Sequence, residues 1–161
     1  MSARHDGNDD RWSGLSRQEL ILFGRTSVIE RLEGIGCRIE SPPATGPLPV
    51  TTPTGREVEV FVSTQRLGGY AFWTRRRLQP ASDRFAAIVL LSDPDEPEVF
   101  VLPTTEWRNA TPPFRDRDNI GKRSEPEYGV SLARSSLPAL QRYAWDPIAV
   151  AERLDKNDGN R

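Results

Sequence analysis

Hydrophobic residues change their spacing along the chain, and each spacing predicts a different element. Ser16 and Glu19 form a capping box, in which each side chain bonds to the backbone amide of the other residue. Apolar residues then recur at helical spacing as far as Ile35, while Gly34 and Gly36 suit the left-handed turn that ends a helix. This pattern predicts a first helix that begins directly after Ser16.

The spacing becomes that of β-strands after a proline-rich segment. Five prolines between residues 41 and 55 remove backbone donors and allow at most a short edge strand near Val50. Residues 56–63 then alternate between valines and other residues, which is the clearest strand pattern in the chain. The tight turn at 67–69 predicts that a strand starting at Tyr70 returns along this strand as a hairpin.

Two more strands and a helical end complete the predicted order of elements. Residues 85–91 are apolar without alternation, as in a strand covered on both faces, and residues 98–102 return after the turn at 93–97. Residues 103–127 have a mixed composition that predicts a short helix holding Glu106 and Trp107, followed by a long functional or poorly ordered loop. The helical signals after Pro138 then predict C-terminal helices.

The fold class predicted from this order is α+β. We expect an α/β sandwich with a mixed, mostly antiparallel sheet, flanked by the N-terminal helix and by the C-terminal helices. A length of 161 residues leaves little room for a second domain. We therefore expect a disordered tail over 1–15, a single domain over 16–154 and a polar tail over 155–161.

Composition excludes several classes of site. Cys37 and His5 are the only cysteine and histidine, so no disulfide framework, zinc cluster or Ser-His-Asp triad can be assembled. No apolar run approaches the roughly 18 residues of a membrane helix, and the polar N-terminus does not resemble a secretory signal. We expect a cytoplasmic protein with no membrane partner.

Charge is distributed unevenly. The net charge is −1 and the sequence pI is about 5.9, so no global field attracts the chain to nucleic acid. Twenty of the 22 basic residues are arginines, a bias that a GC-rich genome would also produce. Between Arg56 and Arg84, however, six arginines accompany three carboxylates and give a local charge of +3. Any attraction to a polyanion must therefore be local.

Several short segments resemble small bacterial domains of the PD-(D/E)XK nuclease-like superfamily. In that group a helix precedes a strand that carries Asp, a turn with Gly, and a strand that reads roughly apolar-(Glu/Gln)-apolar-Lys-Thr. Pro47-Leu48-Pro49-Val50, Thr54-Gly55-Arg56 and Val60-Phe61-Val62-Ser63-Thr64 are similar to these three pieces. The resemblance extends over about residues 18–147 and implies a restriction-endonuclease-like fold.

The resemblance also implies that the active site has been lost. Family members hold a divalent cation with two carboxylates, and the neighbouring lysine positions the attacking water. The equivalent positions here are Pro47, Phe61 and Ser63, which provide none of these groups. The expected protein is a pseudoenzyme that has no cofactor and that acts as a nucleic-acid-binding or partner-binding module.

A divergent nuclease is the enzyme alternative. Glu57 and Glu59 lie on the same strand face as Phe61 and would form a Glu-x-Glu pair for Mg²⁺ or Mn²⁺, with Glu30 or Glu33 assisting. The other interpretation is that both are solvated strand carboxylates.

The candidate DNA- or RNA-binding residues are arginines that lie close to aromatic residues. Guanidinium groups match phosphate oxygens, and aromatic rings can stack on bases. The alternative is that residues 75–77 are a solvated basic loop balanced by the acidic residues of the turn at 93–98, with the aromatic residues in the core or a hairpin. A further hypothesis is a purely protein-binding subunit, such as a homodimer or part of a defence or toxin-related complex. The candidate residues are Arg66, Arg75, Arg76, Arg77 and Arg84, beside Tyr70, Phe72 and Trp73.

Overall fold

The computed structural model describes residues 12–92 and 96–156 and has the α+β class predicted from the sequence. No helix in these two ranges is long and apolar enough to cross a membrane. Short 3-10 helices at Thr104–Asn109, Arg134–Ser136 and Gln141–Tyr143 accompany the main elements. The helices are α1 (Arg17–Gly34), α2 (Arg75–Leu78), α3 (Leu137–Leu140) and α4 (Pro147–Asp155); the strands are β1 (Leu48–Thr51), β2 (Glu57–Arg66), β3 (Tyr70–Thr74), β4 (Arg84–Leu91), β5 (Glu98–Pro103), β6 (Phe114–Arg117) and β7 (Glu127–Ser131).

The larger sheet has four strands in the order β1-β2-β4-β5. β2 and β4 are parallel, whereas the two outer pairs are antiparallel. Residues 85–91 of β4 are all buried, because helices cover one face and a second sheet covers the other. This confirms the sequence prediction of a strand covered on both faces. β1 is a short edge strand that faces only the first half of β2.

The remaining strands form a separate three-stranded sheet in the order β3-β7-β6, so the predicted hairpin between β2 and β3 is wrong. The turn at Gly68 and Gly69 is present, but both residues form backbone hydrogen bonds to Leu132 and the chain leaves the plane of the larger sheet. Ala71 and Val130 then pack against the core from this second sheet. The turn residues determine that the chain changes direction after β2, but they do not determine which strand β3 pairs with.

Two hydrophobic clusters lie on the two faces of the larger sheet. One joins α1 and α4 to the face that carries Val58 and Val60. The other joins the smaller sheet and the 3-10 helix at Thr104–Asn109 to the opposite face, which carries Phe61. Because neighbouring residues of β2 project to opposite faces, Val60 and Phe61 are both buried.

The N-terminal boundary lies earlier than predicted. Trp12 is only 4% exposed and packs against Phe23 with ring centroids 4.9 Å apart, so residues 12–15 are not a disordered tail. The predicted tail residues 1–11 and 157–161 and part of the predicted turn at 93–97 lie outside the described residues. The capping box of α1 is confirmed, because Ser16 Oγ accepts from the Glu19 amide and the Glu19 carboxylate accepts from the Ser16 amide.

Residues 103–127 contain the short helix predicted at Glu106 and Trp107 and also a strand that was not predicted. They include the 3-10 helix at Thr104–Asn109 and strand β6, which pairs with β7. Trp107 in this segment is 1% exposed, and its Nε1–H donates to Gly129 O at 2.8 Å. Of the polar residues that predicted a loop, Arg115, Asp116 and Arg117 lie on the exposed strand β6, whereas residues 118–126 form a loop between β6 and β7.

Helix α1 approaches β2 closely at one glycine. A Cβ atom added to Gly24 would lie 1.7 Å from Thr64 Oγ1 and 3.0 Å from Thr64 Cβ. Gly24 is buried, and the absence of a side chain lets the helix backbone contact the end of β2. This contact sets the distance between α1 and the second half of β2.

Candidate functional site

The three residues that the resemblance would place at a PD-(D/E)XK motif do not fit a divalent cation. Phe61 is 5% exposed and packs edge-on against Trp73, with ring centroids 6.5 Å apart. The Ser63 hydroxyl is a neutral group that accepts a hydrogen bond from Gln65 Nε2 at 3.0 Å. Pro47 precedes β1 and carries no ligand atom in its side chain. A hard cation requires several oxygen ligands, which these three side chains do not supply.

The alternative metal pair has competing contacts. Arg84 Nε donates to Glu59 Oε1 at 3.2 Å, and Glu57 is exposed near the start of β2. Glu30 and Glu33 lie on α1, which packs against the opposite face of the sheet. Within residues 12–92 and 96–156, no three His, Cys, Asp or Glu residues are grouped so as to hold a metal ion. The geometry therefore does not favour Glu57 and Glu59 as a metal site.

A groove of about 1040 Å³ instead lies beside the second half of β2. Its floor is formed by residues 61–67, and one wall is formed by the N-terminal half of α1 together with residues 44–46. The other wall is formed by β3. Phe61 and Ser63 belong to the lining, so the groove is at the place that the motif resemblance identifies.

The groove is lined by positive charge. None of its lining residues, all of which are described, is acidic. Arg25 donates to the carbonyl oxygens of Gly46 and Pro43, and Arg66 Nη2 donates to Trp12 O at 2.8 Å. A guanidinium has five N–H donors, so these two arginines retain donors for a ligand. The four lining arginines are Arg17, Arg25, Arg66 and Arg77.

Arg17 and Arg77 are the two members of this set whose guanidinium groups do not pair with another described residue. Neither guanidinium has an ion pair or a hydrogen bond to another residue in the described part of the chain. Arg17 begins α1, and Arg77 belongs to α2, which follows β3. Both side chains are exposed, so an anionic ligand would meet two unpaired positive charges at the groove.

The arginine set predicted from the sequence divides into two groups. Arg66 and Arg77 line the groove. The other three pair within the protein: Arg75 donates to Asp116, Arg76 contacts Glu125 at 3.2 Å, and Arg84 contacts Glu59. Their positive charge is therefore offset locally. The acidic partners Asp116 and Glu125 come from β6 and from the segment that precedes β7.

Sequence reasoning missed two groove arginines on α1. Arg17, Ile21 and Arg25 are spaced four residues apart, which places them on one helical face. That spacing is the signal that could have identified them. The sequence could not show that this face meets the end of β2.

Aromatic rings occupy the β3 wall of the groove. Phe72 is 56% exposed, and its ring stacks on Tyr70 with centroids 6.0 Å apart. Burial raises the pKa of the Tyr70 phenol, the Arg117 cation opposes that shift, and the Glu127 carboxylate adds to it. The Tyr70 ring is therefore neutral at physiological pH. Cationic and aromatic groups are the two kinds that bind an unpaired nucleic-acid strand.

The backbone of β2 is open along the groove. The pairing with β1 stops at Val60, so the following residues have a strand neighbour only on the β4 side. The Glu59 and Leu67 amides donate toward β4, which places the intervening odd-numbered amides on that side as well. The backbone groups of Val62 and Thr64 consequently point away from β4, and no described residue bonds to them.

A second depression, of about 820 Å³, lies near α4 and has mixed charge. Its lining includes Glu106, Arg142 and Arg153, and Arg142 contacts Glu106 at 3.8 Å. Burial raises the pKa of the Tyr143 phenol there to about 12, with the Glu106 carboxylate adding to the shift. Carboxylates and guanidinium groups balance each other in this pocket.

Comparisons with family models, with curated proteins and with solved structures gave no match for this chain.

Proposed function

We propose that this protein is a nucleic-acid-binding module that uses the groove beside β2 and does not perform metal-dependent cleavage. The observation that carries the proposal is the lining of the groove, which contains four arginines and no carboxylate. A polyanion is the ligand that such a lining attracts, and arginine is the residue that best matches phosphate oxygens. On the resemblance alone, we further propose that this groove replaces a PD-(D/E)XK active site.

The overall charge of this protein is a poor guide to nucleic-acid binding, because the proposed attraction is local. The whole chain has a net charge of −1, which gives no long-range attraction to a phosphate backbone. Binding would depend on the local field of Arg17 and Arg77, together with the spare donors of Arg25 and Arg66. Because phosphate contacts release counterions, the affinity must fall as the salt concentration rises.

Neighbouring arginines in α2 provide a matched test. We expect fluorescence anisotropy with oligonucleotides of about 16 nucleotides to show salt-dependent binding. Arg77→Ala removes a groove cation and should weaken binding by about tenfold, or 1.4 kcal/mol. It should also reduce the salt slope by about one contact. Arg76→Ala removes an arginine that already pairs with Glu125 and should change the affinity little.

Either of two results would contradict the proposal. One is the absence of binding to any single-stranded or duplex DNA or RNA at about 50 mM salt. The other is an equal loss of affinity in the Arg76→Ala and Arg77→Ala variants, which would indicate that general charge rather than the groove determines binding. Circular dichroism of both variants would establish that the fold is retained.

The absence of cleavage needs its own experiment. We expect no cleavage of DNA or RNA in Mg²⁺ or Mn²⁺, because Pro47, Phe61 and Ser63 supply neither carboxylates nor a lysine. Metal-dependent cleavage that Glu57→Ala abolishes would contradict this expectation. It would favour the divergent nuclease that uses Glu57 and Glu59.

A protein partner is the second candidate function, and the open edge of β2 favours it. Val62 and Thr64 present backbone donors and acceptors that an extended peptide could pair with by strand addition. The groove arginines would select an acidic segment. Binding of such a peptide would slow the exchange of the Val62 and Thr64 amides, whereas binding through the arginines alone would leave these amides exchanging rapidly.

A further inference from the structure

The outer face of the three-stranded sheet places an aromatic ring beside the groove. Alternation along β3 directs Ala71 and Trp73 toward the core, and Tyr70 and Phe72 to the other face. The Tyr70 and Phe72 rings are stacked, with an angle of 21° between their planes. Because Phe72 is 56% exposed, part of its ring is accessible to a ligand.

Tyr70 stacks on this ring and is itself held on two sides. A Cβ atom added to Gly129 would lie 2.0 Å from Tyr70 Oη, so the tyrosine occupies the space that a side chain on β7 would fill. The Arg117 guanidinium lies 4.7 Å from the Tyr70 ring centroid. The stack on this held tyrosine restricts the Phe72 ring, and a restricted ring loses less conformational entropy when a ligand stacks on it.

We propose that Phe72 stacks on an unpaired base of a single-stranded nucleic acid whose phosphates contact the groove arginines. This inference rests on the proposed function, because the backbone must first be held by residues such as Arg77. Phe72 and Arg77 line the same groove, so one strand contacts both. Inside a duplex the faces of each base are covered by its neighbours, and the Phe72 ring has a partner only when a base is unpaired.

Charge complementarity favours a nucleic acid over a protein at this ring. An exposed phenylalanine alone would fit either partner. Here the ring adjoins a lining that has four arginines and no acidic residue, and a nucleic-acid strand repeats phosphate and base at each step. Every base has a face that can stack on an aromatic ring, so stacking does not distinguish base sequences. We therefore expect single-strand selectivity with little sequence preference.

Oligo(dT) and an abasic oligonucleotide with the same number of phosphates separate the two kinds of contact. Phe72→Ala should weaken oligo(dT) binding by about tenfold and leave abasic binding unchanged. Arg77→Ala should weaken binding of both. A duplex should bind more weakly than oligo(dT), and Phe72→Ala should not change its affinity. Phe72→Tyr keeps an aromatic face and should restore oligo(dT) binding, whereas Phe72→Leu should not.

Ile120→Ala is the control for loss of an exposed apolar side chain, because Ile120 is 84% exposed and lies outside the groove lining. An unchanged oligo(dT) affinity in Phe72→Ala, or an equal loss with the abasic strand, would overturn the base-stacking inference while the arginine effects remain. Failure of both strands to bind the unmodified protein would refute the proposed function itself, and the stacking inference with it.

Discussion

Two depressions of the molecule have similar sizes but different charge patterns. The groove beside β2 contains arginines without carboxylates, whereas the pocket near α4 contains Glu106 beside Arg142 and Arg153. In the pocket Arg142 contacts Glu106 and Arg153 donates to Val101 O at 3.0 Å, whereas the groove arginines Arg17 and Arg77 have no partner among the described residues. The number of arginines in a depression therefore says less about its capacity to bind an anion than the number that lack a partner.

The same distinction applies within one short helix. Arg76 and Arg77 are adjacent in α2, but the first pairs with Glu125 and the second lines the groove. A surface ion pair of this kind contributes little stability, about 0–1 kcal/mol. Its effect here is to offset the charge of one arginine and leave that of its neighbour available.

The largest expected effect comes from disrupting the close contact between α1, which forms one wall of the groove, and β2. Gly24→Ala places a Cβ atom 1.7 Å from Thr64 Oγ1, and we expect a net loss of about 2 kcal/mol or more in unfolding free energy. Helix propensity alone would favour alanine by about 1 kcal/mol. A net loss of unfolding free energy would therefore come from the steric overlap with Thr64. Chemical denaturation monitored by circular dichroism measures it.

Gly34 provides the control for this substitution. No heavy atom lies within 4 Å of a Cβ added there, so Gly34→Ala should be neutral or slightly stabilising. Thr64→Ala should restore part of the stability lost in Gly24→Ala, because it removes the hydroxyl that the new methyl group meets. Equal stabilities of Gly24→Ala and Gly34→Ala would show that α1 is not confined at this distance from β2.

Charge reversal tests the groove against the pocket. Arg17→Glu should weaken nucleic-acid binding by more than tenfold, because it replaces a groove cation with an anion. A glutamate in the first turn of α1 also suits the helix dipole, so stability should not fall. Arg142→Glu changes the total charge by the same amount in the pocket and should leave the affinity within about twofold, as anisotropy at equal salt would measure.

Alkaline pH should destabilise the fold through two buried groups. Burial raises the pKa of the Tyr143 phenol from 10.0 to about 12, and burial with the Asp155 carboxylate raises that of the Cys37 thiol from 9.0 to about 11. Both groups stay protonated in the folded state while the unfolded chain loses the protons. Unfolding free energy should therefore fall from about pH 9 toward pH 12.

Tyr143→Phe should reduce the fall between pH 10 and about 12, and Cys37→Ala should reduce the fall between pH 9 and about 11. Urea titrations at several pH values measure these slopes. A slope above pH 10 that Tyr143→Phe leaves unchanged would exclude the pocket phenol as its cause.

The smallest expected effect is an alternation of amide exchange along β2. The amides of Phe61 and Ser63 point toward β4 and should exchange slowly, whereas those of Val62 and Thr64 face the groove and should exchange faster. Hydrogen exchange followed by NMR resolves these residues individually. Slow exchange at all four positions would indicate that another part of the chain covers the edge.

Local chemistry made some elements predictable from the sequence. The start of α1 follows from the hydrogen bonds that Ser16 and Glu19 can make, and the central position of β4 follows from an apolar run with no polar face. The start of α4 was predictable for the same reason, since Asp146 Oδ1 accepts from the Ile148 and Ala149 amides as an N-cap. Each of these signals lies within a few residues of the structure it determines.

Elements that depend on distant residues were not predictable in this way. The double glycine after β2 indicates a turn, but the partner of β3 is β7, and Tyr70 pairs with Ser131. Arg66 and Arg77 were identified as basic residues near aromatic rings, whereas Arg17 and Arg25 joined them only through the packing of α1 on β2. The pairing of Arg75 with Asp116 likewise depends on the second sheet.

The pairing of β3 with β7 also bears on the order in which the chain can fold. The strands β1, β2, β4 and β5 and the helix α1 are complete by residue 103, so their contacts can form early. β3 leaves this region at residue 70 and finds its partner only after residue 127 is available. Contacts between residues far apart in sequence form slowly because a long loop must first close. The aromatic wall of the groove is thus assembled after its floor, and a chain that ends before β7 would keep the arginines of α1 but lose the ordered Phe72.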